Sequence, residues 1–284
     1  MMKVMILGIN GLIGGTLFKY LSSMQDLEVL GLMRNKKLES FFENKKIIYI
    51  DDVRDIAKLS QQIIMHRPNV VINSIGITKH KKGILPESYY HINSLFPFEL
   101  LDICKVIGSR LIHISSDCVF KGDKGDYLDS DIPDSEDFYG SSKKLGELIC
   151  KKSLVIRTST IGHELLNRDG LLEWFLSQNH ECNGFSNAYF SGLTTLELAK
   201  IVYKVLISEE KLIGLYNVGG PKIDKYSLLK IIADVYKLDT HIRLDDSFKI
   251  DRSLNCDRFN SILMYSPPTW IEMINAMYNF EYGI

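Results

Sequence analysis

Residues 3–14 read Lys3-Val4-Met5-Ile6-Leu7-Gly8-Ile9-Asn10-Gly11-Leu12-Ile13-Gly14. An apolar run breaks into three glycines spaced G-x-x-G-x-x-G and then opens a helical pattern. A strand that turns into a helix through glycines lets the backbone approach a pyrophosphate at the helix N-terminus. The spacing is a variant of the usual dinucleotide fingerprint, and a plain strand–helix turn is the competing reading. The segments that follow favour the dinucleotide. Apolar runs at residues 28–32, 47–50, 70–75, 110–115 and 154–158 alternate with helical patterns at 12–24, 56–66, 86–107 and 138–152. Strict alternation implies an α/β fold, a doubly wound parallel sheet covered on both faces. Such a sheet takes its ligands at the carboxyl ends of its strands. Gly8, Asn10, Gly11, Leu12, Ile13 and Gly14 are therefore candidate cofactor contacts.

Beyond residue 158 the pattern loosens. A short helix is expected at 170–178, a polar aromatic loop at 183–192, a helix at 194–207, a strand at 215–218 and a helix at 226–236. A loop at 245–254 and a helix after Pro267-Pro268 complete the chain. The expected organisation is a Rossmann-type NAD(P)-binding domain over 1–157, with 187–235 packing back onto it. A smaller C-terminal substrate-binding lobe then comprises 158–186 and 236–284.

The 284 residues carry 34 Lys and Arg against 35 Asp and Glu, a net charge of -1, which gives no electrostatic case for nucleic acid or a membrane surface. Five widely spaced cysteines without a C-x-x-C read as reduced thiols rather than a disulfide frame or zinc site. His163-Glu164 has no companion ligands, so no metal is expected. The first strand begins at once and no apolar run approaches the ~20 residues of a membrane span, so a cytoplasmic location is expected.

The end of the second strand reads Met33-Arg34-Asn35-Lys36-Lys37. An acid there would accept from ribose hydroxyls, whereas a cation accommodates a 2′-phosphate. NADPH is favoured, with Arg34 as its contact, and NADH is left open. Asp52-Val53 closes the third strand, and Asn73-Ser74-Ile75 ends the fourth in the small and polar groups that a passing dinucleotide requires. Ser116 ends the fifth strand. Tyr139-Gly-Ser-Ser-Lys143 then places a phenol and an ammonium one helical turn apart. A fixed cation is expected to pull the phenol's pKa toward the working range. Ser116 can hold a substrate carbonyl against Tyr139, although strand-end serines are often only helix caps. Arg252 suits a diphosphate, and a surface arginine is its plain alternative. Arg157 follows a buried strand and is expected to orient backbone or a carboxylate. His80-Lys81-Lys82 reads as a solvated loop or a nucleotide-sugar contact.

Together the glycine loop, Asp52-Val53, Asn93, Ser116 and Tyr139-x-x-x-Lys143 resemble the extended short-chain dehydrogenase/reductase superfamily. Ser115-Ser116-Asp117-Cys118-Val119-Phe120 resembles the S-T-D-Y-V-F segment of dTDP-4-dehydrorhamnose reductases, with Ser116 in place of the catalytic Thr and Cys118 in place of a Tyr. Gly214-Leu215-Tyr216-Asn217-Val218-Gly219-Gly220 and Arg252-Ser253-Leu254-Asn255 resemble later segments of that family. The resemblance implies NADPH-dependent reduction of the C4 ketone of a 4-keto-6-deoxy sugar carried on a nucleoside diphosphate, for cell-surface polysaccharide synthesis. It implies Tyr139 as proton donor, Ser116 as carbonyl partner, and Lys143 both lowering the Tyr139 pKa and binding the nicotinamide ribose. Thr78, Asn93, Asp117, Cys118 and Arg252 would meet substrate. Cys118 stands where related dehydratases carry a glutamate, which argues against dehydration. A 4-epimerase that retains NAD and an NADP-binding regulatory subunit of another enzyme are the alternative functions. A homodimer is left open.

Overall fold

The computed structural model describes residues 1–34, 36–42, 45–79, 83–165, 170–178 and 180–282. The basic run His80-Lys81-Lys82 and Asn35 lie outside them. β1 (Met2–Leu7) runs into α1 (Leu12–Leu21), followed by β2 (Leu27–Met33) and β3 (Lys46–Tyr49). Next come α2 (Ile56–His66), β4 (Val70–Asn73), α3 (Pro86–Tyr90), α4 (Phe96–Ile107) and β5 (Arg110–Ser116). α5 (Phe138–Gly146) leads through a 3-10 turn to β6 (Leu154–Thr158).

The later chain holds β7 (Thr160–Ile161), α6 (Leu171–Leu176), β8 (Glu181–Phe190), β9 (Leu193–Thr194), α7 (Thr195–Ile207) and β10 (Gly214–Asn217). β11 (Ile223–Asp224), α8 (Lys225–Tyr236), β12 (His241–Asp251), α9 (Asp257–Leu263) and α10 (Trp270–Tyr282) follow. Seven strands form one parallel sheet in the order β10-β6-β5-β4-β1-β2-β3. The order reverses between β4 and β1, and a crevice at that reversal is where a doubly wound sheet binds its ligand.

Two-residue alternation divides the core between the faces of this sheet. Val4 and Ile6 of β1 join a cluster with Leu17, Phe18, Leu198, Val202 and Ile274, under α1, α7 and α10. Met5 and Leu7 point the other way, into a cluster with Leu59, Ile63, Phe96 and Leu100 of α2 and α4. Capping sets the helix ends. Asp55 accepts from Lys58 N at the start of α2, and Asp137 does so from Gly140 N at the start of α5. The helical pattern expected at 86–107 is continuous but contains a π turn at His91–Leu95, which carries Asn93.

The loop expected at 183–192 is largely strand β8, and that expected at 245–254 is largely strand β12. β8 is the middle of a three-stranded sheet, β11-β8-β12. It pairs in parallel with β12 and antiparallel with β11. Helix α10 packs against α7 and α8, and Trp270 Nε1 donates to Pro221 O at 2.7 Å.

Candidate active site

Parallel strands bring their carboxyl ends to one edge, so the tips of β2, β1, β4 and β5 stand side by side there. After β1, Gly8 adopts φ +91°, a conformation L side chains rarely take. Gly14 sits so close that a Cβ would lie 2.3 Å from Gly8 O and 2.5 Å from Ser74 Oγ. Ser74 Oγ donates to Leu7 O at 2.6 Å and ties the β4 tip to the β1 tip. Asn10 Oδ1 accepts from Arg34 N at 3.0 Å, joining the glycine turn to the end of β2. Asn10 Nδ2 is buried with no acceptor among the described residues. A backbone cradle that no side chain can fill, with a spare donor and an exposed Arg34 beside it, fits a dinucleotide. Asp52 stands farther along that edge, and its carboxylate is held by Arg54 Nε at 3.0 and 2.8 Å.

Asn73 and Asn93 brace the next part of the edge. Asn73 Oδ1 accepts from Ile75 N at 3.0 Å, and Nδ2 meets His113 Nδ1 at 3.1 Å. That contact makes Nδ1 an acceptor, and burial together with the Lys143 charge pushes His113 well below its usual pKa. Asn93 is fully buried. Its Oδ1 accepts from Ile77 N at 2.9 Å, and its Nδ2 donates to Ile77 O and Ser142 Oγ, both at 3.0 Å. Asn93 thereby fastens the 75–78 segment to α5, with its side chain fully engaged there. Thr78 is exposed, and its carbonyl accepts from Tyr89 OH at 3.3 Å.

Ser116, Asp117, Cys118 and Tyr139 converge at the tip of β5. Ser116 Oγ donates to Asp117 Oδ1 at 3.2 Å and accepts from Cys118 N at 3.1 Å. Burial raises the Tyr139 phenol well above its usual value, and Cys118, Asp117 and Asp137 add to the rise. A hydrogen bond with Ser116 pulls the other way. This departs from the depression by Lys143 that the sequence suggested. Lys143 Nζ is turned into the sheet and donates to Ile114 O at 2.8 Å, where burial lowers it to about 8 against an opposing pull from Glu147. Desolvation is the largest cause of the shift at each group, and neither shift carries a contribution from the other group. Burial also raises the Asp117 carboxyl, and it pushes the Cys118 thiol up to about 12. Arg252 reaches this corner from β12, donating from Nε to Phe120 O at 2.9 Å and from Nη1 to Cys118 Sγ at 3.7 Å.

Behind the corner lies a buried ion pair. Arg157 meets Glu147 through Nε at 3.0 Å and Nη2 at 2.7 Å, and Ser115 Oγ donates to the same carboxylate at 2.6 Å. Arg157, which lies within β6 rather than after it, therefore orients a carboxylate, one of the two roles the sequence suggested. His163 meets Glu173 and Tyr236 at 2.9 and 2.7 Å. Among the described residues no cluster of three or more His, Cys, Asp or Glu is arranged to hold a metal, and no helix is long and apolar enough to cross a membrane. A separate cleft of about 380 Å³, lined by Leu128, Asp129, Ser130, Leu215, Asn255 and Arg258, contains none of the residues named above as candidates.

Sequence reasoning missed Lys225. Its ammonium lies 3.4 Å from the Phe190 ring centroid, and its charge acts on Asp117 and Cys118. In the sequence it is one lysine after an Asp helix cap, indistinguishable from a solvated helix start.

Comparison with known proteins agrees with this architecture. Residues 2–243 match the family described as the RmlD substrate binding domain. The spore coat polysaccharide biosynthesis protein SpsK of Bacillus subtilis (strain 168) is 29% identical over 253 residues, covering 85% of this chain and 82% of that protein. A crystal structure of a hypothetical dTDP-4-dehydrorhamnose reductase from Sulfolobus tokodaii superposes with a TM-score of 0.78 at 29% identity, covering 92% of this chain and 94% of that one. The dTDP-4-dehydrorhamnose reductase of Bacillus anthracis str. Ames, solved in complex with NADP, shares the fold at a TM-score of 0.80 and 20% identity, covering 98% and 99% of the two chains. This chain belongs to the RmlD substrate binding domain family, an oxidoreductase family within the extended short-chain dehydrogenase/reductases.

Proposed function

We propose that the protein reduces the C4 ketone of a 4-keto-6-deoxy sugar carried on a nucleoside diphosphate, in the making of a cell-surface polysaccharide. NADPH, when bound on the Gly8–Gly14 cradle beside Arg34, supplies the hydride. The observation that carries the proposal is the meeting of Ser116 with a phenol that burial keeps protonated. Ser116 orients the carbonyl through its hydroxyl, and Tyr139 donates the proton as the carbonyl becomes an alkoxide. An alkoxide is about as basic as hydroxide and far more basic than a phenolate, so even a raised phenol transfers its proton downhill. The raised value therefore suits reduction, in which the phenol must begin protonated. Lys143 holds its ammonium between the β5 tip and Gly76, where it can meet a ribose hydroxyl. A Cβ on Gly76 would lie 3.6 Å from Lys143 Nζ. Asn93 and Asn73 act as positioning residues for the strand tips. The substrate side is assigned to the corner where Arg252, directly after β12, meets Cys118.

The test is net NADPH oxidation with dTDP- and UDP-linked 4-keto-6-deoxy sugars, with products resolved by mass. One NADPH consumed per alcohol formed is expected. Interconversion of sugars without net oxidation would show epimerisation instead, and absence of any turnover would defeat the reductase reading.

A further inference from the structure

β8 is the centre strand of the three-stranded sheet, and the residues that follow its two neighbours are both cations. Lys225 comes directly after β11, and Arg252 directly after β12. The other nearby charges are accounted for: Lys222 pairs with Asp251 at 2.5 Å, and Asp224 caps α8 through Ser227 N at 2.8 Å. Among the described residues neither Lys225 nor Arg252 forms a salt bridge, and Asp137, which the charge of Arg252 also reaches, pairs with Lys79 at 2.8 Å. Among the described residues no oxygen accepts a hydrogen bond from Lys225 Nζ, which rests on the Phe190 ring that Trp270 also packs against. Arg252 uses Nε on Phe120 O and Nη1 on Cys118 Sγ, and Nη2 has no acceptor among the described residues. The one acid they share is Asp117, 5% exposed and held by Ser116. Two cations therefore act on the same buried carboxyl.

We infer that Lys225 is a substrate-binding residue which, with Arg252, holds the diphosphate of the nucleotide sugar against the end of the three-stranded sheet. The inference rests on the reductase reading, since it assumes that the sugar carbonyl lies at Ser116. Phosphate oxygens match both groups: the guanidinium offers a planar donor and the ammonium a compact point charge. The ring beneath Lys225 orients the ammonium by cation–π attraction without using its donors. Burial lowers Lys225 to about 8, opposed by attraction to Asp117 and Cys118 and assisted by repulsion from Arg252. The ammonium is thus readily lost above that pH, and an arriving polyanion restores it.

Calorimetric titration of the full chain with dTDP, UDP and GDP, each beside its parent nucleoside, tests this directly. At neutral pH, Lys225→Met should weaken the diphosphate that binds best by about ten- to a hundred-fold, the range of a lost charge-assisted contact, and leave the nucleoside unchanged. Lys225→Arg should retain diphosphate binding and remove its decline as pH rises through about 8. Unchanged melting and unchanged NADPH binding in both variants exclude misfolding as the cause. If Lys225→Met binds the diphosphate as the wild type does, the assignment of Lys225 is wrong while the reductase reading stands on its own NADPH assay. A Lys225→Met variant that loses turnover but keeps full diphosphate affinity overturns it too, in favour of a contact with the sugar ring. If the wild type binds no nucleoside diphosphate, both the inference and the reading fall.

Discussion

Arg157 and Glu147 are 1% and 4% exposed, and the two charges respond differently when one is removed. Breaking a buried pair typically costs about 3–5 kcal/mol because one charge is stranded. In Arg157→Met the stranded group is a carboxyl, which can escape by taking up a proton. From an ordinary carboxyl pKa near ~4.3, doing so near pH 7 costs about 3.7 kcal/mol, and near pH 5 about 1 kcal/mol. The folded variant then holds a proton that the unfolded chain lacks above ~4.3, so its stability relative to wild type rises as pH falls, by about 1.4 kcal/mol per unit. In Glu147→Gln the stranded group is a guanidinium, a side chain that proteins do not deprotonate, and it has no such escape. Its destabilisation should be the same near pH 5 and pH 7. Urea unfolding followed by circular dichroism at both values measures each difference from wild type. An Arg157→Met deficit that does not shrink toward pH 5, or a Glu147→Gln deficit that does, would refute this account of the pair.

Tyr139→Phe should lower turnover by about 10²–10⁴-fold, the usual worth of a positioned acid, while NADPH titration by fluorescence stays unchanged; near-normal turnover would remove Tyr139 as the donor. Gly14→Ala places a Cβ 2.3 Å from Gly8 O, so the loop must shift. A loss of about 1–3 kcal/mol in stability is expected with clearly weaker NADPH binding, and full affinity would deny the cradle its role. Lys143 titrates near about 8, so NADPH affinity should weaken as pH rises through that value. Lys143→Arg should flatten the profile, and a wild-type profile that is flat over the same range would separate Lys143 from cofactor binding.

The parallel sheet was legible because its inner strands β1, β2, β4, β5 and β6 are local apolar runs largely buried on both faces, while the edge strands β3 and β10 are only partly buried. Residues 56–66 and 154–158 match α2 and β6 residue for residue. β8 and β12 were not legible. Asn183, Gly184, Ser186 and Asn187 give β8 the composition of a turn. Asp245, Asp246 and Ser247 interrupt β12 where its register with β8 shifts. Each becomes a strand only through pairing with the other, about fifty residues away in the chain, and no local signal encodes that. The Y-x-x-x-K spacing located the catalytic candidates, whereas Lys225 depended on the same unreadable sheet.

The spacing also fixes neighbourhood without fixing whose charge is felt. Four residues on a helix set Tyr139 and Lys143 on one face, and a lowered phenol pKa follows if attraction between them dominates. Dominance is decided by burial, which the spacing does not contain. Both groups are drawn out of water, so the anionic form of one and the cationic form of the other are disfavoured together. The phenol is coupled to Ser116, and the ammonium donates to the Ile114 carbonyl. Tyr139 remains a proton donor throughout the neutral range, and Lys143, at about 8, is the member that changes charge first. In the proposed reduction such a site starts in the state that gives a proton to an alkoxide. To take one from an alcohol it would first have to ionise a partly buried, desolvated phenol beside Asp117 and Cys118, two groups that already oppose it. Desolvation at the tip of β5 thus keeps Tyr139 protonated, the state in which the proposed reduction would begin.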